Sequence, residues 1–277
     1  MMVTDAQAHV WEAETPDRPW IEDGRSFAHA DRLGVEDLLA EMHAASVDRV
    51  VLVPPSFEGD RNDYCLAAAA RYPDRFRVMG RISLTDPASR GLVAGWRDQP
   101  GMLGVRVSFS RGPATRWLTD GTADWFWPEA EAAGLPVMIF APYLVDQVTR
   151  IAERHPGLRL VIDHLGIQTN LRDDAIDPAI DDAIGLARFD NVAVKVSSLP
   201  SFVTDGYPFR SLHDRIHRVI DAYSPRRAFW GSDISRLSCT YDQVRRLFTD
   251  ELDFLTGPDL EWVMGRGVSE WLGWREP

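Results

Sequence analysis

The sequence places three side chains that could perform acid–base chemistry at the ends of apolar, strand-like segments: His9, His164 and Asp233. Asp233 follows Trp-Gly-Ser, where burying a carboxylate without a use or a partner would be costly. An ionised carboxylate can take a proton from water, and imidazoles can donate hydrogen bonds to a carbonyl oxygen. These residues predict a functional site in which Asp233 is the strongest single candidate. The alternative for each histidine is an ordinary buried group with satisfied hydrogen bonds.

Five further polar residues fall near strand ends and are candidates for substrate binding: Gln7, Arg81, Arg106, Tyr143 and Lys195. Arg106 has a planar fork that fits a carboxylate or a developing oxyanion. Its alternative role is a salt bridge to Asp233 or another buried acid. Lys195, the only lysine in the chain, is equally consistent with a general acid, a carboxylate anchor or an ion-pair partner.

Eight strand-like segments position these residues, and amphipathic helical segments separate them. The strand-like segments span residues 2–10, 48–55, 76–83, 103–109, 135–142, 158–166, 191–198 and 228–233. Their alternation with helices predicts the α/β class, with a single-domain (β/α)8 TIM barrel over residues 1–277 and a site at the carboxyl ends of the strands. An open doubly wound sheet is the alternative, but no glycine-rich phosphate turn follows the first strand.

Two local patterns make further structural predictions. Asp163 directly precedes His164, so the alternation of side chains along a strand should turn Asp163 away from the site. We therefore expect a structural role for Asp163, such as capping a neighbouring helix. Thr240 and Gln243 have the spacing of a capping box, which predicts that a helix begins there.

Composition and charge limit the classes of partner. The chain has 277 residues, of which 45% are hydrophobic and 26% charged, as in ordinary globular proteins. Its net charge of −12 argues against nucleic acid or an anionic membrane as a partner. No apolar run is long enough to span a membrane, the N-terminal residues lack the pattern of a secretory signal, and two cysteines make no disulfide framework. We expect a cytoplasmic protein that acts on a small molecule, and a homo-oligomer is left open.

Several motifs in this order resemble the amidohydrolase superfamily. They are DAQAHVW at 5–11, GVR at 104–106, VIDHLG at 161–166, VKVSSL at 194–199 and FWGSD at 229–233. The resemblance is to the amidohydrolase-related family, in its branch of metal-independent 2-pyrone-4,6-dicarboxylate lactonases and L-fuconolactonase-like sugar lactonases. It extends over the whole chain, to VMGRGVSEWLGW at 263–274.

The resemblance implies roles for single residues. The family's first strand carries an aspartate and then two histidines separated by one residue; Asp5 and His9 match this motif, but Gln7 replaces the first histidine. His164 matches the strand-six histidine, and Asp233 matches the strand-eight aspartate. Arg106 matches the arginine that helps to hold a substrate carboxylate in dicarboxylate lactonases.

The departures from the family pattern bear on metal binding. Metal-binding members supply a histidine from strand five, where this sequence has Phe140 and Ala141. Gln is a poor zinc ligand, and a catalytic zinc site needs three protein ligands. The sequence therefore favours chemistry without a metal or other cofactor. A single divalent metal such as zinc is left open, and its ligands would then be His9, His164 and Asp233.

Together these features predict a hydrolase that opens a small cyclic ester, a lactone, with a carboxylate on the substrate suggested by Arg106. Asp233 would activate water, while His9, His164 and Gln7 would donate hydrogen bonds to the carbonyl oxygen. Arg81, Arg106, Tyr143 and Lys195 would bind the substrate. Two alternatives remain: a metal-dependent decarboxylase of the same superfamily, and a catalytically inactive barrel that binds a ligand.

Overall fold

The computed structural model describes residues 1–21 and 30–274. Eight parallel strands follow one another in a single sheet in sequence order. They are β1 (Thr4–Ala8), β2 (Arg49–Leu52), β3 (Phe76–Gly80), β4 (Met102–Ser108), β5 (Val137–Phe140), β6 (Leu160–Ile162), β7 (Val192–Ser197) and β8 (Ala228–Gly231). Each strand overlaps a segment predicted from the sequence; β4 has the predicted length shifted by one residue, and the other seven strands are shorter than predicted. The prediction of an eight-stranded α/β barrel is confirmed.

Helices connect the strands and complete the chain. They are α1 (Val35–Ala44), α2 (Asp63–Arg71), α3 (Arg90–Val93), α4 (Phe126–Ala132), α5 (Val145–Arg154), α6 (Asp177–Gly185), α7 (Arg210–Tyr223), α8 (Tyr241–Arg246), α9 (Gly257–Glu261) and α10 (Gly267–Leu272). The capping box at the start of α8 is confirmed, because Thr240 Oγ1 accepts a hydrogen bond from the Gln243 backbone and Gln243 Oε1 accepts one from the Thr240 backbone. No helix in the described part of the chain is both long and apolar enough to cross a membrane.

The sheet is buried on both faces, as parallel sheets usually are. One apolar cluster fills the inside of the barrel and takes side chains from all eight strands, including Met79, Met138 and Phe229. Leu272 and Trp274, at and just beyond the end of α10, belong to the same cluster, and the Trp274 ring lies against Arg49 and Arg77, near the amino-terminal ends of β2 and β3. The side chains that point into the barrel along the strand bodies are therefore largely apolar and form a packed scaffold.

A buried carboxylate joins the first strand to the last. Asp5 accepts hydrogen bonds from the backbone N–H groups of Gln7 (2.9 Å) and Ser232 (2.9 Å), from the Ser232 hydroxyl, and from the Tyr241 hydroxyl (2.7 Å). The Asp233 backbone N–H also donates to the Gln7 carbonyl at 2.8 Å. The family resemblance places Asp5 in the strand-one motif. Here its carboxylate holds the backbone next to Gln7 and Asp233 in place through hydrogen bonds.

We expect Asp5→Ala to lower the free energy of unfolding, because the substitution leaves the Ser232 and Tyr241 donors buried without an acceptor. Each buried unsatisfied group costs about 1–3 kcal/mol, so the total loss should be at least about 2 kcal/mol. Urea denaturation measures this change. Asp221→Ala, at an exposed position of α7, is the matched control and should change stability by less than about 0.5 kcal/mol. An Asp5→Ala variant as stable as this control would contradict the role of Asp5.

Candidate active site

A pocket lies at the carboxyl ends of the strands, with a volume of about 650 Å³ that includes the solvent-filled space at its mouth. Four of the residues selected from the sequence line it: His9, Arg106, His164 and Asp233. The rest of the lining consists of Trp11, Pro55, Ser56, Phe57, Ser108, Ser110, Arg111, Phe140, Thr169, Ser235 and Arg236. The structure thus brings the predicted acid–base residues together in one cavity.

Asp233 lies just beyond the end of β8 and has a left-handed backbone conformation, with φ 53°. Its side chain is 1% exposed, and its two oxygens face the two imidazoles. Oδ1 lies 3.1 Å from His9 Nε2, and Oδ2 lies 3.6 Å from His164 Nε2. No backbone N–H or hydroxyl in the described part of the chain donates to either oxygen. Both oxygens therefore keep acceptor capacity for a water molecule.

The electrostatic surroundings keep Asp233 ionised. Burial raises the pKa of its carboxyl, but His164 and His9 in their protonated forms, together with Arg236, lower it, and the net result is a pKa well below the ordinary value. An ionised carboxylate is the form that can take a proton from water.

The hydrogen bonds of His9 determine which of its nitrogens carries the hydrogen. Nδ1 lies 2.6 Å from the Val53 carbonyl oxygen, which can only accept, so Nδ1 must be protonated. Lys195 Nζ donates to Gln7 Oε1 at 2.6 Å, which turns the Gln7 amide nitrogen towards His9 Nε2 at 3.2 Å. A neutral His9 therefore has its lone pair on Nε2. The expected donation from His9 to a carbonyl oxygen does not fit this tautomer, in which Nε2 accepts.

His164 is held as a neutral imidazole. Its Nδ1 lies 2.8 Å from Ser197 Oγ, and the Phe140 ring packs edge-on against it with ring centroids 5.7 Å apart. Burial lowers the pKa of His164 to about 4, although Asp233 and Asp163 oppose the shift. At neutral pH His164 can therefore act through hydrogen bonds without carrying a charge.

Three buried charged side chains lie together at the base of the site. Arg106 Nε lies 2.9 Å from Asp163 Oδ2, and Lys195 Nζ lies 2.8 Å from Asp163 Oδ1. Burial raises the pKa of Asp163, but Lys195 and Arg106 outweigh it and bring the pKa to about 2. The ion-pair alternative for Arg106 therefore holds, with Asp163 as the acid, and Lys195 shares the same partner.

The expected direction of Asp163 was wrong, for a reason that lies in the backbone. β6 ends at Ile162, and His164 and Leu165 have φ values of 51° and 55°, in the left-handed region. The alternation rule applies to an extended strand, so it does not extend past Ile162. Asp163 pairs with Arg106 and Lys195 rather than capping a helix, while His164 faces Asp233.

Four residues expected to bind substrate do not line this pocket. Gln7 and Lys195 are fully buried and bond to each other. Arg81 donates from Nε to the Gly59 carbonyl at 2.9 Å and lines a separate cavity beside α3. Tyr143 is 69% exposed, and its hydroxyl donates to Gln168 Oε1 at 2.6 Å beside another cavity.

Two further arginines, Arg111 and Arg236, line the pocket but were not among the residues selected from the sequence. Arg111 lies in the loop after β4, and Arg236 lies in the loop after β8. Loops at the carboxyl ends of barrel strands build the site, so this position in the sequence could have marked both arginines as candidates. Among the described residues that line the pocket, Arg106, Arg111 and Arg236 carry guanidinium groups and Asp233 carries a carboxylate. Cationic side chains therefore outnumber carboxylates in the described lining, in a chain whose net charge is −12.

The donor set does not fit a resident metal ion. No group of three or more His, Cys, Asp or Glu side chains within residues 1–21 and 30–274 is arranged to hold one. The amide nitrogen of Gln7 faces Nε2 of His9, the atom that would have to coordinate. The strand-five position holds Phe140, which has no ligand atom.

Known proteins are similar to this chain over most of its length. The amidohydrolase family model matches residues 4–264. L-fucono-1,5-lactonase of Burkholderia ambifaria is 25% identical over 242 residues, which cover 84% of this chain and 81% of that protein.

Two solved structures show the same fold. An amidohydrolase from Burkholderia multivorans with bound zinc has a TM-score of 0.82, 21% identity and 99% coverage of both chains. A probable 2-pyrone-4,6-dicarboxylic acid hydrolase from Acinetobacter baumannii with citric acid bound has a TM-score of 0.77 and 20% identity, covering 99% of this chain and 100% of that one. The family match, nearly as long as the chain, shows that this protein belongs to the amidohydrolase family and is an enzyme of the hydrolase class.

Proposed function

We propose that this enzyme hydrolyses a small lactone that carries a carboxylate, without a metal ion. The observation that carries the proposal is the buried Asp233 carboxylate between two imidazoles, in a pocket with three arginines. The likeness to L-fucono-1,5-lactonase supports the choice of a lactone. The positive charge of the pocket supports an anionic substrate, because a guanidinium pairs with a carboxylate through strong, directed hydrogen bonds.

Asp233 takes a proton from a water molecule as the water oxygen attacks the lactone carbonyl carbon. The bond between that carbon and the ring oxygen then breaks, and the ring oxygen leaves as a hydroxyl group, taking up the proton that Asp233 removed from water and passed to His9. His9 Nε2 lies 3.1 Å from Asp233 Oδ1 and has a lone pair in the neutral tautomer, so it can receive the proton from Asp233. This transfer returns Asp233 to its ionised form while the tetrahedral intermediate collapses.

Arg106 binds the substrate carboxylate in this scheme. Its Nε bond to Asp163 fixes the plane of the guanidinium, and no other hydrogen bond from its side chain occurs in the described residues. The remaining N–H groups are therefore available to an anion in the pocket. Gln7 and Lys195 act from beneath the pocket on His9, without contact to the substrate.

Asp233→Asn tests the assignment of the general base. The substitution keeps size and shape but removes the base, so kcat should fall at least about a hundredfold, with little change in KM. L-fucono-1,5-lactone and 2-pyrone-4,6-dicarboxylate are the lactones to assay, with carbon dioxide release measured in parallel to detect decarboxylation. Asp221→Asn is the matched control. An Asp233→Asn variant with wild-type turnover would remove Asp233 from the mechanism.

Arg106→Lys tests the carboxylate contact. Lysine keeps the charge but loses the planar fork, so KM for 2-pyrone-4,6-dicarboxylate should rise more than KM for the uncharged L-fucono-1,5-lactone. Steady-state kinetics on both lactones measure the difference, and thermal unfolding reports any loss of stability from the Asp163 pair. Equal effects on the two lactones would show that Arg106 acts only through Asp163.

Elemental analysis tests the absence of a metal requirement. Protein purified without added metal should contain far less than one equivalent of zinc or manganese, and turnover should survive incubation with a chelator. The reason is the donor set, in which Gln7 and Phe140 occupy ligand positions of metal-binding members. About one tightly held transition metal per chain, with activity lost on its removal, would overturn the metal-free mechanism.

A further inference from the structure

Arg236 lies close to the carboxylate that activates water. It ends the short helical turn Ile234–Arg236 that follows β8, and its backbone N–H donates to the Asp233 carbonyl at 2.8 Å. Its Nε lies 4.0 Å from Asp233 Oδ2, and its side chain lines the pocket and is 25% exposed. At this distance it contributes positive potential to Asp233 without forming a hydrogen bond to it.

The guanidinium of Arg236 is held in place but keeps its hydrogen-bonding capacity. It lies over the Phe202 ring, 5.8 Å from the ring centroid, and Ser201 Oγ donates to the Arg236 carbonyl at 2.6 Å. None of its side-chain N–H groups donates to another residue in the described part of the chain. An arginine has five such donors. Those of Arg236 are therefore available to a group in the pocket.

Hydrolysis creates a charge that this site must accommodate. Attack on a carbonyl puts negative charge on its oxygen, and ring opening leaves a new carboxylate beside the Asp233 carboxylate. Neutral His9 has no hydrogen on Nε2, and Asp163 already binds Nε of Arg106. Without a nearby cation, two carboxylates would repel each other in a poorly hydrated pocket.

We propose that Arg236 is a further catalytic residue, which stabilises the charge developing on the carbonyl oxygen and then holds the new carboxylate. The proposal rests on the lactone hydrolysis proposed above. In that reaction the water oxygen ends in the new carboxyl group, the ring oxygen becomes a hydroxyl, and one proton is released to solvent when the acid ionises. Arg236 forms no covalent bond and transfers no proton; it supplies a fixed positive charge where negative charge accumulates.

Arg236→Gln and Arg236→Lys test this role kinetically. Loss of a group that stabilises developing oxyanion charge typically costs about 10²–10³ in rate, so Arg236→Gln should lower kcat by about 10² with little change in KM. Arg236→Lys should recover part of the loss, because it restores the charge. A purely structural role, through stacking on Phe202, would instead lower the thermal unfolding temperature and leave kcat of the folded enzyme unchanged.

Arg266→Gln is the matched control. Arg266 also lies over an aromatic ring, that of Trp262 at 4.0 Å, and it packs near the amino-terminal end of β1, away from the pocket. Its loss removes the same charge from the chain and should leave kcat unchanged. If Arg236→Gln and this control have the same kcat, Arg236 is not catalytic.

Citrate binding separates failure of this proposal from failure of the lactonase proposal. Calorimetric titration with citrate, a carboxylate probe, should show binding to the wild type that weakens at least about tenfold in Arg236→Gln, as expected for one charge-assisted hydrogen bond of about 1.5–3 kcal/mol. Wild-type enzyme that opens neither lactone but shows this difference would overturn the lactonase proposal and leave Arg236 as a carboxylate-binding group. Citrate affinity that is absent in the wild type, or unchanged in Arg236→Gln, would overturn the role of Arg236.

Discussion

The ion pairs of Asp163 hold this site together. Transferring one charged side chain into a protein interior costs several kcal/mol, and here Asp163, Lys195 and Arg106 are all buried. Asp163 offsets the cost by pairing with both cations, at 2.8 and 2.9 Å. Three strands are thereby connected at one level of the barrel, and the cluster retains one excess positive charge. The ionised Asp233 nearby compensates that charge, so the cluster and the Asp233 carboxylate stabilise each other.

The cluster of Asp163, Lys195 and Arg106 also influences which nitrogen of His9 carries the hydrogen. Lys195 bonds to the oxygen of the Gln7 amide, and this bond leaves the amide nitrogen to face His9. Gln7 stands where the family resemblance implies the first histidine of the strand-one motif, and its amide bonds to Lys195. A hydrogen-bond donor next to His9 Nε2 suits proton acceptance and does not suit ligation of a cation. Substitution of one motif residue thus changes the chemistry open to its neighbour.

Charge distribution separates the pocket from the rest of the molecule. The chain as a whole is strongly acidic, yet the described lining of the cavity has three arginines and one carboxylate. Long-range attraction of an anion to this protein is therefore weak, and selection for an anionic substrate must occur by short-range contacts inside the pocket. Trp11, Phe57 and Phe140 provide apolar walls that reduce hydration and strengthen those contacts.

The sequence by itself determined the alternation of strands and helices, and hence the barrel and the end of it that carries the site. It also selected His9, His164 and Asp233 as candidates, which line one pocket in the structure, because polar residues that interrupt apolar strand ends are visible in one dimension. Only the tertiary structure decided the partners of Asp163, since left-handed residues after β6 end the alternation on which a sequence-based prediction depends. The separation of Arg81 and Tyr143 from the pocket, and the inclusion of Arg236, likewise depend on loop paths. A loop's course is set by packing against distant parts of the chain, which local sequence does not encode.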